Sequence, residues 1–486
     1  MRYRQYALIV LLMVVVISAC SKQIPYQATG IKIGEVTDTS AIVWTRLTQH
    51  QERIGSDAPM PTVEYKDETT DTWRDSVRGR PDAEPRVIFP EGHDVSSIEG
   101  ACPGMDGQVR LFYKASDERE WQQTEWTAVD PNGDFTHQIL LENLKPNTKY
   151  YLQVETQADD YGQVVKGEFR TAPAPEQPAK VTFTVSTGQA YNDMALPNQG
   201  FKIYPSMLRL NPHFFVHTGD IVYYDRLAKT PELARWHWQR TYSLPTNVEF
   251  HKNIPSYFIK DDHDTWMNDC WPGLQTRYMG DFTFEQGLDI FLEQVPMQEP
   301  TYRTFRWGQD LQIWLVEGRD YRSPNTLPDG PEKTIWGEEQ KQWFKETVQQ
   351  SDATFRVLIS PTPIVGPDRE SKRDNHSNDA FRTEGEEIRT FIASQQNMVV
   401  VCGDRHWQYV SVDQKTGVKE YSCGPASDEH AGGWSNDMRR PEHRYLNVTG
   451  GFLAITVERN GNQPFFSAAH YDVNGEMLHL DQWTAK

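Results

Sequence analysis

Cysteine is scarce in this sequence, at five of 486 residues, and none lies in a Cys-x-x-Cys pair. Dithiol and zinc-ribbon motifs built on that spacing are therefore absent. Beyond the N-terminus, no stretch is long and apolar enough to cross a membrane. Cations are outnumbered, with 49 Lys and Arg against 68 Asp and Glu, and the formal net charge is −19. This charge argues against a broad nucleic-acid-binding or anionic-membrane-binding surface.

The N-terminus has the pattern of a bacterial export signal. Arg2 and Arg4 precede an apolar run from Ala7 to Ile17, which is too short to span a bilayer. Cys20 follows small residues, as in a lipobox. We expect residues 1–19 to be a lipoprotein signal peptide and Cys20 to carry the lipid, rather than a plain secretory signal with an incidental cysteine. The protein would then be lipid-anchored to a bacterial membrane, facing the periplasm or the cell surface.

The sequence leaves open whether and how the four remaining cysteines pair. They are Cys102, Cys270, Cys402 and Cys423. An exported protein permits disulfides, and four cysteines allow three pairings, among which the sequence does not choose.

Residues 23–172 read as an all-β module. The segments 41–46 and 109–113 are strand-like, and the second alternates apolar and polar residues. The segment 144–151 resembles the tyrosine corner of fibronectin-III-like sandwiches. Between the strands, the polar, Gly- and Pro-rich stretch 67–107 is interpreted as a long insertion. A Pro/Ala-rich linker at 171–179 then marks a domain boundary.

From residue 180 to 486, strand patterns alternate with helical ones, which predicts a layered α/β domain. Three of its strands end in acidic residues or histidines. Asp220 follows the apolar run Phe214–Val216, Asp262 and His263 follow a second strand, and Asp404 and His406 follow a third. Carboxylates and imidazoles at strand ends can meet in one crevice. Because gathered anions need cations, this pattern favours a metal cluster over three unrelated capped turns.

These motifs resemble a known family. Gly-Asp-x-x-Tyr at 219–223, Asp-Asp-His-Asp at 261–264 and Gly-Asp-x-His at 403–406 resemble the alkaline phosphatase D (PhoD) family of calcineurin-like metallophosphoesterases. More distantly, the pattern is similar to that of purple acid phosphatases. The segment 318–322 looks like another motif of the family. The resemblance implies a two-sheet α/β metallophosphoesterase sandwich preceded by an all-β, fibronectin-III-like sandwich.

The resemblance also implies roles for individual residues. Asp220 would bridge two metal ions, Tyr223 would bind iron(III), and Asp404 and His406 would complete the site. The ligand expected shortly after the Asp-Asp-His motif would be Asn268, with Asp262 as the competing candidate. His263 would act as a general acid or orient a ligand.

One position departs from the family pattern. The family places a cysteine ligand after the first strand of the catalytic domain, whereas this chain has Gly188 there. Calcium and iron are the cofactors that the family implies. Without the thiolate, oxygen and nitrogen ligands also suit magnesium, manganese or zinc.

Four further residues are candidates for contact with substrate. Arg319 could clamp phosphate oxygens as a catalytic group, and Arg405 could do the same. Asn375 and His376 lie in a loop that would approach the site. Asp428-Glu429-His430 shows no informative pattern.

We therefore expect a phosphomonoesterase or phosphodiesterase in which a metal-bound hydroxide attacks phosphorus. Its partners would be a phosphate-ester substrate and, through the N-terminal lipid only, the membrane. The alternative is a non-catalytic lipoprotein that binds metal or an anionic ligand. A sulfatase is disfavoured because no sulfatase-type motif is apparent.

Overall fold

The structure, a computed structural model, describes residues 22–75 and 82–486. The predicted signal peptide and Cys20 lie outside the described residues. No helix within the described ranges has the length and apolar character needed to cross a bilayer.

The N-terminal region is rich in β-structure. Its strands are β1 (Ile31–Gly34), β2 (Ala41–Arg46), β3 (Thr62–Asp67), β4 (Thr72–Arg74), β5 (Pro85–Ile88), β6 (Gln108–Ala115), β7 (Gln122–Gln123), β8 (Thr127–Ala128), β9 (Thr136–Leu141), β10 (Lys149–Gln157) and β11 (Tyr161–Arg170). They form sheets in the orders β1-β2-β9, β11-β10-β6-β7 and β4-β3-β5, and β8 also pairs with β6. Buried residues alternate along β10, as expected for a strand with one face on a core.

The hydrogen bond expected of a tyrosine corner is present in the segment 144–151. The Lys145 backbone N–H donates to the Tyr150 hydroxyl at 2.8 Å, which joins the start of β10 to the turn before it. The β-rich character of the region is confirmed, and its assignment to the fibronectin-III type stays a prediction.

The stretch interpreted as an insertion packs on the second half of the chain. Ile98 and Ala101 are buried against Leu233 and Trp236 in one apolar cluster. The Trp236 indole N–H also donates to the Glu99 carbonyl at 2.9 Å. The insertion therefore helps to position the helix that carries Trp236.

The second half of the chain is built on two larger sheets with helices. Its strands are β12 (Val181–Ser186), β13 (Phe214–His217), β14 (Ser256–Phe258), β15 (Arg303–Trp307), β16 (Leu311–Leu315), β17 (Phe355–Ser360), β18 (Met398–Cys402), β19 (Gln408–Val412), β20 (Lys419–Cys423), β21 (His443–Asn447), β22 (Phe452–Asn460), β23 (Gln463–Tyr471) and β24 (Met477–Thr484). Its helices are α1 (Ile203–Leu210), α2 (Pro231–Tyr242), α3 (Pro245–His251), α4 (Phe284–Gln294), α5 (Gly337–Gln350) and α6 (Arg382–Ala393). The two-sheet α/β prediction is confirmed.

Strand direction explains where the polar loops lie. One sheet has the order β14-β13-β12-β22-β23-β24, and in it β12, β13 and β14 are parallel. The other has the order β15-β16-β17-β18-β20-β19-β21, and in it β16, β17, β18 and β20 are parallel. Every residue of β13 and of β18 is buried, as is typical of parallel strands covered on both faces. Within each sheet, the loops after the parallel strands gather at one edge.

Candidate metal centre

Asp220 is the central residue of the candidate site. It follows β13 with a left-handed backbone, at φ 56°, directly after Gly219. Only 1% of Asp220 is exposed. Its Oδ2 lies 3.2 Å from the Tyr223 hydroxyl and 3.4 Å from His406 Nε2. Its Oδ1 is buried and has no hydrogen-bond partner among residues 22–75 and 82–486, so this oxygen is available to bind a cation.

Two histidines and a tyrosine surround Asp220 on one side. The Tyr223 hydroxyl lies 2.6 Å from His430 Nε2 and 3.5 Å from His406 Nε2. His430 Nδ1 lies 2.7 Å from Asp193 Oδ2. Because a carboxylate only accepts, Nδ1 carries a proton, and a neutral His430 ring then presents a lone pair at Nε2.

Gly188 leaves room for these rings. A Cβ at this position would lie 3.1 Å from His430 Cδ2 and 3.2 Å from His406 Nε2. The glycine adopts φ +49°, which L-residues rarely tolerate. The space beside Asp220 is therefore filled by imidazole.

The loop after β14 supplies the other side. Ligand atoms of Asp220, Asp262 and His263 all lie within 4.8 Å of one another. Asp264 joins this loop to the loop after β13, because its Oδ2 accepts from the Ile221 N–H at 3.0 Å. Its Oδ1 accepts from the Asp261 N–H within its own loop.

Charge around His263 favours its protonated form. Burial opposes the imidazolium, but Asp225, Asp262 and Asp220 outweigh burial and hold the pKa of His263 well above its ordinary value. His263 Nδ1 contacts Asp225 Oδ2, which leaves Nε2 as the second proton-bearing atom.

Burial holds His406 and Tyr223, in contrast, in their neutral forms. Burial lowers the pKa of His406 to about 4, so its ring is neutral near pH 7 and can act as a ligand. Burial, reinforced by Asp220, holds the pKa of Tyr223 well above its usual range, so the phenol keeps its proton unless a cation replaces it.

Asp404 follows β18 in the same left-handed conformation as Asp220, at φ 56°. Its backbone N–H donates to Thr187 Oγ1 at 3.3 Å, which joins the β18 loop to the loop that holds Gly188. Its carboxylate contacts the Arg405 guanidinium.

This donor set fits metal ions. Asp220 offers a buried oxygen with no partner, and phenol, carboxylate and neutral imidazole groups lie around it. Such oxygen and nitrogen donors suit iron(III), manganese and zinc, and a carboxylate-rich side suits calcium or magnesium.

A cavity of about 460 Å³ opens beside the cluster. Its lining residues include Tyr223, His263, His406 and His430. A ligand in this cavity would therefore contact the centre.

Family comparison agrees with this arrangement. The sequence model of the PhoD-like phosphatase family matches residues 183–449, and that of its N-terminal domain matches residues 17–173. The chain belongs to the PhoD-like phosphatase family. Among curated proteins, it is 23% identical over 387 residues to alkaline phosphatase D of Bacillus subtilis (strain 168). That alignment covers 66% of this chain and 64% of the relative, so it spans less than two thirds of the relative's length.

Solved structures show the same fold for this PhoD-like chain. A structure of PhoD matches with a TM-score of 0.69 at 18% identity, covering 94% of this chain and 90% of that one. The purple acid phosphatase PPD1 from yellow lupin (Lupinus luteus) seeds matches with a TM-score of 0.61 at 11% identity, covering 93% and 73%.

The family motifs bring together most of the predicted ligands. Asp220, Tyr223 and His406 form one contact group, and Asp262 and His263 adjoin Asp220. Asn268 differs because it is exposed, and its backbone N–H donates to Asp225 Oδ1. Its role as a ligand stays a prediction, as do the individual roles of the others.

Four residues predicted to contact substrate lie inside the protein, and their contact with substrate stays a prediction. Arg319, Arg405, Asn375 and His376 are each fully buried. Arg319 Nε donates to Asp261 Oδ1 at 2.6 Å, and Arg405 Nη1 donates to Asp368 Oδ1 at 2.6 Å. Arg319 Nη2 lies 3.9 Å from Asp262 Oδ2, so this arginine supports the cluster from behind.

The two loop residues also form hydrogen bonds to protein groups. Asn375 Nδ2 donates to Asp368 Oδ2 at 2.8 Å, and His376 Nε2 lies 2.9 Å from Glu384 Oε2. These groups are bonded to protein partners because the loop folds inward on the domain.

Sequence reasoning missed His430 and its partner Asp193. Neither lies at the end of a predicted strand or at a motif spacing; His430 reaches the site from a loop and Asp193 from a short 3-10 helix. Asp225 was also missed as the partner of His263. The family motifs at 219–223, 261–264 and 403–406 do not include these supporting groups.

Proposed function

We propose that this PhoD-like protein is a metal-dependent phosphoesterase. The supporting observation is the buried Oδ1 of Asp220, which has no partner among the described residues and belongs to a carboxylate in contact with the Tyr223 phenol and the neutral His406 ring, beside an open cavity. Asp220, Tyr223, His406 and His430 would hold one metal ion, and Asp220, Asp262 and Asp404 a second, with Asn268 as a further candidate.

Metal ions bound there would supply Lewis acidity and a more acidic bound water. The protein's own residues would do the rest. Asp225 holds Nδ1 of His263, so the proton at Nε2 is available to an ester oxygen in the cavity. Asp264 keeps the two ligand loops in register.

Substitution of the central ligands tests this activity. Asp220→Asn and His406→Ala should each lose metal and reduce turnover of bis-p-nitrophenyl phosphate and p-nitrophenyl phosphate by on the order of 100-fold or more, because ligands act as a unit. Asp289→Asn, an exposed acid on α4, and His93→Ala, an exposed histidine, are matched controls. Wild-type turnover in both ligand variants, or full activity after exhaustive chelation, would contradict the proposal.

Metal identity belongs to the same proposal. Calcium or another oxygen-preferring divalent ion is expected on the carboxylate side, and iron, manganese or zinc on the imidazole side. Metal analysis of protein purified without chelator should find two ions per chain. A chain that retains none but binds phosphate would favour the non-catalytic alternative.

Export and lipid anchoring complete the proposal and rest on sequence. Arg2, Arg4, the apolar run and Cys20 support a lipoprotein anchored to a bacterial membrane, facing the periplasm or the surface. Cys20→Ser should move the protein to the soluble fraction. A variant that still sediments with membranes after a salt wash would refute the anchor.

A further inference from the structure

The cavity beside the metal centre has a second polar wall, formed by α2. His237, Arg240 and Thr241 line this wall, and Tyr191 lies next to it. The proposed chemistry uses none of these residues. Both His237 and Arg240 are almost fully buried, at 2% and 4% exposed.

Arg240 is held rigidly but is only partly hydrogen-bonded. Its guanidinium carbon lies 4.3 Å from the Tyr191 ring centroid and 4.1 Å from that of Trp236. Nη2 lies 3.2 Å from His237 Nδ1, whereas Nε and Nη1 have no partner in the described chain. Burying a guanidinium with unpaired N–H groups costs free energy, and a bound anion would offset that cost.

His237 adds another donor. Because Nδ1 accepts from Arg240, a neutral ring carries its proton on Nε2. That Nε2 is buried and also lacks a partner. Burial, with the nearby charges of Arg240 and Lys229, holds the pKa of His237 well below its ordinary value, so the ring is neutral. The wall therefore presents N–H donors and a positive charge.

The carboxylates around the cavity are engaged elsewhere. Glu99 contacts Arg53 and accepts from the Tyr191 hydroxyl at 2.6 Å. Asp193 pairs with His430, and Asp225 pairs with His263. Among the described residues, Arg240 forms no ion pair with a carboxylate.

We propose that Arg240 and His237 form an anion subsite for a second negatively charged group of the substrate. This rests on the proposed function, since the substrate's phosphate ester would lie at the metal centre, whose residues line the same cavity. The substrate class is thus an organic phosphate with a carboxylate or a further phosphate on the esterified group. Contact with the Tyr191 and Trp236 rings restricts the Arg240 side chain before a ligand binds, which reduces the entropic cost of binding.

Titration calorimetry on the metal-loaded full-length protein tests the subsite without relying on turnover. The probes are ω-carboxyalkylphosphonates of increasing chain length, each compared with the alkylphosphonate of equal length, at pH 8. At least one chain length should bind about tenfold or more tightly than its uncharged match, as expected for hydrogen bonds to a charged group. A bisphosphonate series tests a second phosphate in the same way.

Variants locate the effect. Arg240→Met and His237→Phe should each remove the preference for the carboxylate and leave alkylphosphonate affinity unchanged. Arg226→Gln, an exposed cation on the same cavity, should retain the preference and controls for general positive charge. If Arg240→Met does not fold, His237→Phe and the wild-type series still show whether the carboxylate preference depends on the subsite.

Two results would overturn the subsite alone. One is equal affinity for both members of every pair in the wild type. The other is loss of the preference in Arg226→Gln with retention in the two buried variants. If neither the carboxyalkylphosphonate nor the alkylphosphonate binds at any chain length, the proposed metal centre fails as well. Failure of the subsite and failure of the metal centre therefore give different results.

Discussion

At the residue scale, His430 links the cluster to a loop outside the family motifs. Its Nδ1 is held by Asp193 at 2.7 Å, and its Nε2 faces Tyr223 at 2.6 Å. A carboxylate that fixes the tautomer of a ligating histidine is a common arrangement around metal ions. This geometry makes His430 a ligand candidate equal to His406.

We predict that His430→Ala weakens metal binding by more than the roughly 10- to 100-fold seen when the group that orients a ligating histidine is removed. Asp193→Asn should have a smaller effect in the same direction, because it disturbs the orientation of the ring. Metal per chain after dialysis, together with any visible phenolate–iron absorption, is the measurement. His93→Ala is the control, and unchanged metal retention in His430→Ala would remove this residue from the site.

Substitution of Gly188 tests whether the space beside the two imidazoles matters. A second glycine, Gly417, shows the effect of backbone strain without crowding. Gly188→Ala and Gly417→Ala both place a Cβ at positive φ, at +49° and +78°. The first Cβ would crowd His430 and His406, whereas the second meets nothing within 4 Å. Each should lose about 1–2 kcal/mol in urea unfolding.

Metal retention distinguishes the two glycine variants. Only Gly188→Ala should also lose metal, because its Cβ displaces the imidazoles. Equal metal content in the two variants would show that this space does not matter.

At the scale of elements, buried ion pairs join the loops of the two large sheets. Arg319 follows β16 and binds Asp261, which follows β14 in the other sheet. Lys260 and Glu317 form a second pair between the same loops at 2.7 Å. The ligand loop that contains Asp262 and His263 is therefore fixed from both sheets.

We predict that Arg319→Met lowers the free energy of unfolding by about 3–5 kcal/mol, because it leaves the Asp261 carboxylate buried and unpaired. Denaturant unfolding monitored by tryptophan fluorescence measures the change. Arg277→Gln, which breaks an exposed pair with Glu68, should remain close to wild type. Equal stability of the two variants would argue against a supporting role for Arg319.

The tyrosine corner offers a matched pair of neighbouring residues. Tyr150 is 3% exposed and accepts from the Lys145 N–H, whereas Tyr151 is 36% exposed. Tyr150→Phe should cost roughly 1 kcal/mol, since the partly buried Lys145 N–H loses its acceptor. Tyr151→Phe should cost nearly nothing in the same urea titration. A reversed order would show that this hydrogen bond does not stabilise the N-terminal region.

At the scale of the whole molecule, the four cysteines within the described residues are free and buried. Burial raises the pKa of Cys270 and of Cys423 to about 12, so their thiols remain protonated and unreactive at neutral pH. The structure thus places these cysteines in the core as thiols.

We predict that a Cys20→Ser protein shows no rapid reaction with Ellman's reagent when folded and four reactive thiols in guanidinium chloride without reductant. Reduction before unfolding should not change that number. Two thiols or none after unfolding would reveal a disulfide.

The sequence by itself determined the strands and the residues at their ends. Apolar runs such as Phe214–Val216 are local, and a polar Gly-Asp step after such a run ends the strand whatever surrounds it. The α/β class, Asp220, Asp262, His263, Asp404 and His406 could therefore be located in advance, and the family resemblance supplied their expected roles.

Only the tertiary structure decided which polar groups face the cavity and which are buried. From the sequence, Arg319 and Arg405 could each bind a phosphate group. In the structure, each is paired with an aspartate from a distant segment. His430 and Arg240 reach the cavity from a loop and a helix with no sequence pattern of their own. Such placements depend on contacts between residues far apart in the chain, and local propensity does not encode them.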